Sequence, residues 1–146
     1  MLLGERTIDA LLSRYRAGRV RPIVAGVAAV RRAAARGPIA IASGSPPQAI
    51  ATLLEILRLD DVVATYVSCD EVPAGKPAPD VYLEACRRIG IDPTRSLAIE
   101  DSTNGARSAK AAGMTVVLVP MPGAHSAIGG AEVADAVVES LDALPF

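Results

Sequence analysis

Tryptophan is absent from this chain, phenylalanine occurs once and tyrosine three times. A core without large rings has to be filled by smaller side chains. Because 51% of the residues are apolar, Val, Ile, Leu and Ala must do the filling, as they do in parallel α/β sheets covered on both faces. That composition argues against a β-sandwich. An excess of one charge is also missing: 15 Lys and Arg stand against 16 Asp and Glu. The basic residues are scattered, which excludes the basic stripe needed for nucleic-acid binding. No apolar run approaches the roughly 20 residues of a membrane span. The opening stretch MLLGERTIDALL is broken by Glu5, Arg6 and Asp9 before a signal-peptide core could form. These absences lead to the expectation of a cytoplasmic protein with neither membrane nor nucleic acid as partner.

Cysteine is limited to Cys69 and Cys86. Cys69 falls at a loop and Cys86 joins Tyr82, Ala85 and Ile89 at helical spacing, so both read as reduced thiols rather than a bridge. The single histidine, His125, lies in the Pro- and Gly-rich MPGAHSAIGG and reads as solvated, not as a ligand.

What is present is an alternation. At 146 residues the chain is long enough for one core, and helical and strand-like patterns follow one another with short breaks, the mark of βαβ units. Strands are predicted at 39–43, 62–67, 96–100, 115–119 and, more weakly, 135–139. Each is short and nearly all apolar. Ser45 before Pro46 reads as a helix N-cap, and Gly37, Gly90 and Gly113 stand where helices should stop. Residues 1–18 form a separate amphipathic helix with Ile8, Leu11, Leu12 and Tyr15 on one side, followed by the linker-like GRVRP. The division expected is 1–18 and 19–146.

Ligands of open parallel sheets sit beyond the carboxyl ends of the strands, which directs attention to three loops. IASGSPP puts Ser43 at a strand end with Gly44 next; a hydroxyl and backbone N–H groups there suit a phosphate oxygen. The alternative is a plain turn with Ser45 capping a helix. AGKPAPDVYLEA sets Lys76 between Gly75 and Pro77. The glycine lets the backbone turn, the proline restricts Lys76 to extended geometry, and Pro79 suits the first turn of the next helix. A lysine so braced can aim a fixed charge inward; the alternative is a solvated surface lysine. AIEDSTNG runs a short apolar strand into adjacent carboxylates, Glu100 and Asp101. Their repulsion calls for a cation, and hard oxygen ligands suit Mg2+; alternatively, Asp101 or Ser102 merely opens the following helix. In this chain order, hydroxyl, ammonium and carboxylates form a set suited to phosphoryl transfer.

On GKPAPDVYLEA and IEDSTNGARSAKAAGM, the sequence resembles the haloacid dehalogenase (HAD) superfamily, in its phosphatase and β-phosphoglucomutase-like branch, over roughly residues 20–140. The resemblance implies a three-layer, Rossmann-like parallel sheet, with residues 1–18 similar to the tail of a helical cap. It implies that Ser43 and Gly44 bind the transferring phosphoryl group, that Lys76 neutralises it, that Asp101 ligates Mg2+ with Glu100 in support, and that Ser102 and Asn104 line the loop. The substrate implied is a small phosphorylated metabolite.

The family's nucleophile is an aspartate in a D-x-D-G pattern after the first strand, and no D-x-D occurs in these residues. The expectation is therefore a core without its first, central strand, inactive by itself. The alternative is a non-catalytic fragment or a phosphate-binding and interaction module. Haloacid dehalogenation fits less well, because displacing halide needs no metal and leaves Glu100 and Asp101 unexplained. Without the central strand, the strands at 39–43 and 96–100 should either pair with each other or have the gap filled by another segment, and the exposed edges invite self-association.

Overall fold

A computed structural model describes residues 3–19, 23–121, 129–144 and 146, and among them five parallel-pairing strands and five α-helices follow one another, alternating from β1 to β4. Helices α1 (Leu3–Arg16) and α2 (Val24–Ala34) lead into β1 (Ile39–Ser43), α3 (Pro47–Leu57) and β2 (Val63–Ser68). Then follow α4 (Asp80–Ile89), β3 (Leu97–Glu100), α5 (Thr103–Ala111), β4 (Thr115–Leu118) and a two-residue β5 (Ala136–Val137). His125, residues 20–22 of the linker, and the side chains of Ile8 and Leu11 lie outside the described residues.

The α/β class and the parallel pairing follow the sequence, and the strand positions agree to within a residue or two at each end. The sheet itself departs from expectation. β1 pairs only with β2, and β3, β4 and β5 form a second sheet in that order. Neither alternative for the gap holds among the described residues: β1 and β3 do not pair, and no other segment enters between them. The edge facing the gap is incompletely covered. Every residue of β1 is only half-buried, and Leu97 of β3 is exposed.

Helices hold the two sheets together. On one side α4 and α5 cover both, so Val67, Val81, Ala85, Ala98, Ala106, Val116 and Leu118 make one continuous core that takes in Ala40 and Ala42 of β1. Each fully buried valine or leucine contributes about 1.5–3 kcal/mol by leaving water. On the other side Ile50, Leu54 and Leu59 pack with Val27 and Val30 of α2 and with Ile41 and Tyr66 of the first sheet. The result is three layers, with small side chains filling the space that aromatics would otherwise take. Helix α1 packs against α3, with Leu12 buried and Tyr15 half-buried.

Three local expectations fail for physical reasons. Ser45 is not the cap of α3. That position belongs to Pro46, with a second proline, Pro47, in the first turn and no side-chain cap. Gly37 stands beyond the α2 C-cap Ala35, which stays right-handed, whereas Gly90 and Gly113 do take the left-handed conformation at φ 70° and 88°. Gly75 has no positive φ, and a Cβ there would make only ordinary contact with Cys69 at 3.4 Å, so the turn does not depend on glycine's conformational freedom. Cys69 and Cys86 are both free thiols, as read from their spacing.

Candidate functional site

Lys76 lies in the turn between β2 and α4, where the Ala78 N–H donates to the Gly75 carbonyl and the Lys76–Pro77 peptide is cis. The turn is fastened to α5 by Ser108, whose fully buried hydroxyl donates to the Ala78 carbonyl at 2.5 Å. Pro79 serves as the N-cap of α4. From this braced position the ammonium reaches across the gap between the sheets. It donates to the Ala42 carbonyl of β1 at 3.1 Å and to Glu100 Oε1 at the end of β3. Lys76 is therefore not a solvated surface lysine: its side chain is 17% exposed and that of Glu100 is 7% exposed.

The opposite charge that Glu100 requires is thus supplied by the protein itself. Tyr82 completes the cluster from below. Its hydroxyl donates to Glu100 Oε1 and lies 3.4 Å from Lys76 Nζ, and its ring centroid lies 4.9 Å from the same nitrogen. Burial, then the Glu100 carboxylate, push the Tyr82 phenol far above its ordinary range, so it stays a neutral donor. With partners at Ala42, Tyr82 and Glu100, each of the three ammonium hydrogens has an acceptor within reach.

The other Glu100 oxygen accepts from the Ser102 hydroxyl at 3.2 Å. Ser102 is also the N-cap of α5, accepting from the Gly105 N–H at 3.1 Å. A side chain at Gly105 would collide with the Glu100 carboxylate, so the glycine is there to make room. Both oxygens of Glu100 are engaged, which leaves Asp101, exposed at the same strand end, as the open carboxylate. Asp101 is thus the carboxylate here that could hold a Mg2+ ion, with Glu100 behind it, since Mg2+ is usually bound through one or two carboxylates with water and phosphate oxygens completing its shell. Asn104 is exposed on the first turn of α5 rather than in a loop. Among the described residues no three His, Cys, Asp or Glu side chains gather into a metal cluster.

Ser43 closes β1, and its oxygen accepts from the Ser45 N–H at 3.0 Å, leaving its own proton to donate. Above Gly44 nothing lies within 4 Å of where a Cβ would stand, so a ligand can approach the backbone there. The two prolines that follow carry no N–H, so the turn offers fewer amide donors than the sequence suggested.

Sequence reasoning missed a second layer. Ser68, fully buried at the end of β2, donates to the Ser45 carbonyl at 2.8 Å and accepts from the Asp70 N–H at 3.1 Å. Its backbone N–H donates to Glu71, completing a capping box. The Ser-x-x-Glu spacing of Ser68 and Glu71 signals this in the sequence. Tyr82 carried no such signal, since it reads as one more core residue on the buried face of α4.

A family model for haloacid dehalogenase-like hydrolases matches residues 5–113. The chain belongs to that family. Among curated relatives of this haloacid dehalogenase-like hydrolase is hexitol phosphatase B of Escherichia coli (strain K12), 36% identical over 88 residues, which are 60% of this chain and 40% of that one. The plasmid phosphoglycolate phosphatase of Cupriavidus necator is 34% identical over 135 residues, 89% of this chain and 56% of that one. Among solved structures, CbbY from Rhodobacter sphaeroides in complex with phosphate is 26% identical with a TM-score of 0.75, covering 94% of this chain and 62% of that chain. The HAD-like chain thus spans about half the length of the relatives it matches. No helix among its described residues is long and apolar enough to cross a membrane.

Proposed function

We propose that these residues are the α/β core of a Mg2+-dependent phosphatase or phosphomutase for a small phosphorylated metabolite, with α1 as part of a helical cap. The observation that carries this reading is the meeting of Lys76 and Glu100 across the carboxyl ends of β1 and β3, beside Ser43 and Asp101. The phosphatase relatives and the phosphate held by CbbY support it.

In this reading the Ser43 hydroxyl donates its free proton to a phosphoryl oxygen, and the open space over Gly44 lets that oxygen approach the backbone. Lys76 gives up its long contact with the Tyr82 hydroxyl and turns that N–H to the anion. Glu100 keeps the ammonium at the cleft, Ser102 fixes Glu100, and Asn104 lies on the rim. Asp101 would hold Mg2+, which when bound neutralises charge on the phosphate oxygens.

The 146 residues contain no D-x-D pattern, the motif in which the family's nucleophile stands. We expect phosphate binding without turnover from these residues by themselves. The same absence favours, as second reading, a non-catalytic phosphate-binding module.

The test is an NMR titration with inorganic phosphate, with and without Mg2+, beside an assay with p-nitrophenyl phosphate. Phosphate should shift the Ser43 and Gly44 amides, Ser43→Ala should weaken that binding, and Asp101→Ala should remove the effect of Mg2+. Turnover that disappears in Asp101→Ala would overturn the expectation of inactivity, and unmoved Ser43 and Gly44 amides would overturn the phosphate site.

A further inference from the structure

We propose that Ser68 is a positioning residue for the Ser43–Ser45 turn, acting through the hydrogen bond from its buried hydroxyl to the Ser45 carbonyl. This deepens, and rests on, the reading of that turn as a phosphate site. Ser68 stands opposite Ser43 in the parallel register of β1 and β2, and it is 0% exposed. Its hydroxyl proton, hydroxyl oxygen and backbone N–H all have partners. The hydroxyl proton goes to the Ser45 carbonyl at 2.8 Å, the hydroxyl oxygen accepts from the Asp70 N–H at 3.1 Å, and the backbone N–H goes to Glu71 Oε2 at 2.8 Å. Glu71 is held in turn by Arg88, whose guanidinium reaches Glu71 Oε1 at 3.1 Å and the Tyr66 carbonyl at 2.8 Å. A continuous line of hydrogen bonds thus runs from α4 through the end of β2 to the turn after β1.

The turn needs outside support because of its own composition. Pro46 and Pro47 follow it, neither carries an N–H, and the start of α3 has no side-chain cap. Ser45 is instead fixed at both of its peptide groups: its N–H points to Ser43 Oγ and its carbonyl receives Ser68. The first of these bonds occupies one of the two lone pairs of Ser43 Oγ, which turns the Ser43 proton away from the Ser45 N–H and leaves it for an outside acceptor. Releasing the Ser45 carbonyl frees that unit to rotate, and the donor at Ser43 loses its direction. Donors held in place before an anion arrives bind it better than donors that must be ordered by it.

A purely structural role for Ser68 would lower stability alone, so the experiment separates affinity from stability. Inorganic phosphate is titrated into the full 146-residue chain in the presence of Mg2+, following the Gly44 and Ser45 amides by NMR, for wild type, Ser68→Ala, Ser43→Ala and Val116→Ala. Ser68→Ala should weaken phosphate about three- to tenfold, as expected for one neutral hydrogen bond. Val116→Ala, a core truncation in the second sheet, should lower the unfolding temperature and leave affinity unchanged. If Ser68→Ala does not fold, Glu71→Gln, at an exposed position, decides: a measurable loss of affinity supports the brace, and wild-type affinity overturns it. Wild-type affinity in a folded Ser68→Ala, with Ser43→Ala impaired, overturns the positioning role and leaves the phosphate site standing. Failure of the wild type to bind phosphate overturns the site, and this role with it.

Discussion

At the scale of single residues, the centre of the molecule is a charge pair whose partners are 24 positions apart. Glu100 is nearly buried, and its carboxylate is tolerable there only because Lys76, Tyr82 and Ser102 all reach it. Removing one partner of such a pair strands the other, at a cost of about 3–5 kcal/mol, whereas replacing both leaves no buried charge uncompensated. Lys76→Met alone should therefore lower the unfolding free energy by roughly that amount, and Lys76→Met combined with Glu100→Gln should recover part of the loss. Urea denaturation of the two single variants and the double variant checks this. Additive losses would show that the two side chains do not depend on each other. Lys76 and Glu100 each stood out in the sequence because a Gly-Lys-Pro loop and a strand ending in carboxylates are local patterns, but their pairing did not, since the carboxylates were expected to meet a metal ion. Tyr82 and Ser68 did not stand out. A tyrosine on the apolar face of a helix and a serine at a strand end look like packing until the third dimension shows Glu100, 18 positions from Tyr82, and the Ser45 carbonyl, 23 positions from Ser68.

Elements were readable where their signals were local and lost where a distant partner decided the outcome. The four longer strands appear as apolar runs between Gly, Pro and polar breaks, and their positions hold. The fifth shrinks to Ala136–Val137, and Asp135, expected inside it, stands just before it: its N–H donates to the Val116 carbonyl at 2.9 Å, and its carboxylate accepts from the Val116 N–H at 2.7 Å and from Lys110 at 2.8 Å. Helix α4 shows the same dependence on distant groups. Arg88 bonds Glu84 within the helix, and also Glu71 and the carbonyl of Tyr66 at the far end of β2. Hydrogen bonds from Arg87, then Arg88, hold the Glu84 carboxyl down to about 2, from an ordinary 4.5. A carboxyl whose pKa is lower folded than unfolded stabilises fully above its unfolded value and loses that contribution as pH falls through its folded value. The contribution of Glu84 should accordingly fade between about pH 4.5 and about pH 2. Glu71, held low by the Ser68 N–H and by Arg88, should add to the same acid limb. Thermal unfolding of wild type and Glu84→Gln over that range should show a shallower acid loss in the variant. Because the pair is solvent-exposed, the difference should shrink in high salt.

For the whole molecule, the consequence that matters most is the division of the strands into two sheets. The free edges of β1 and β3 face each other without pairing, and the residues along them, Ile39 to Ala42 and Leu97 to Ile99, carry no charge. Among the described residues, the carboxyl end of the gap is plugged by the Lys76 ammonium between Ala42 and Glu100. An uncharged edge with unpaired backbone groups is a template for another strand, and the usual protections, a charge or a bulge in mid-edge, are missing from β3. The helices α4 and α5 keep the halves joined through a common core, so the fold persists while the edges remain reactive. Self-association is the expected outcome. Sedimentation velocity across a range of concentrations should show the average mass rising above the 15.0 kDa of one chain. Amides along β1 and β3 that point into the gap should exchange with solvent faster than those of β4, which is paired on both sides. A single 15.0 kDa species at every concentration, unfolding sharply at high temperature, would overturn this account, because it would mean that the side chains around the gap already shield both edges.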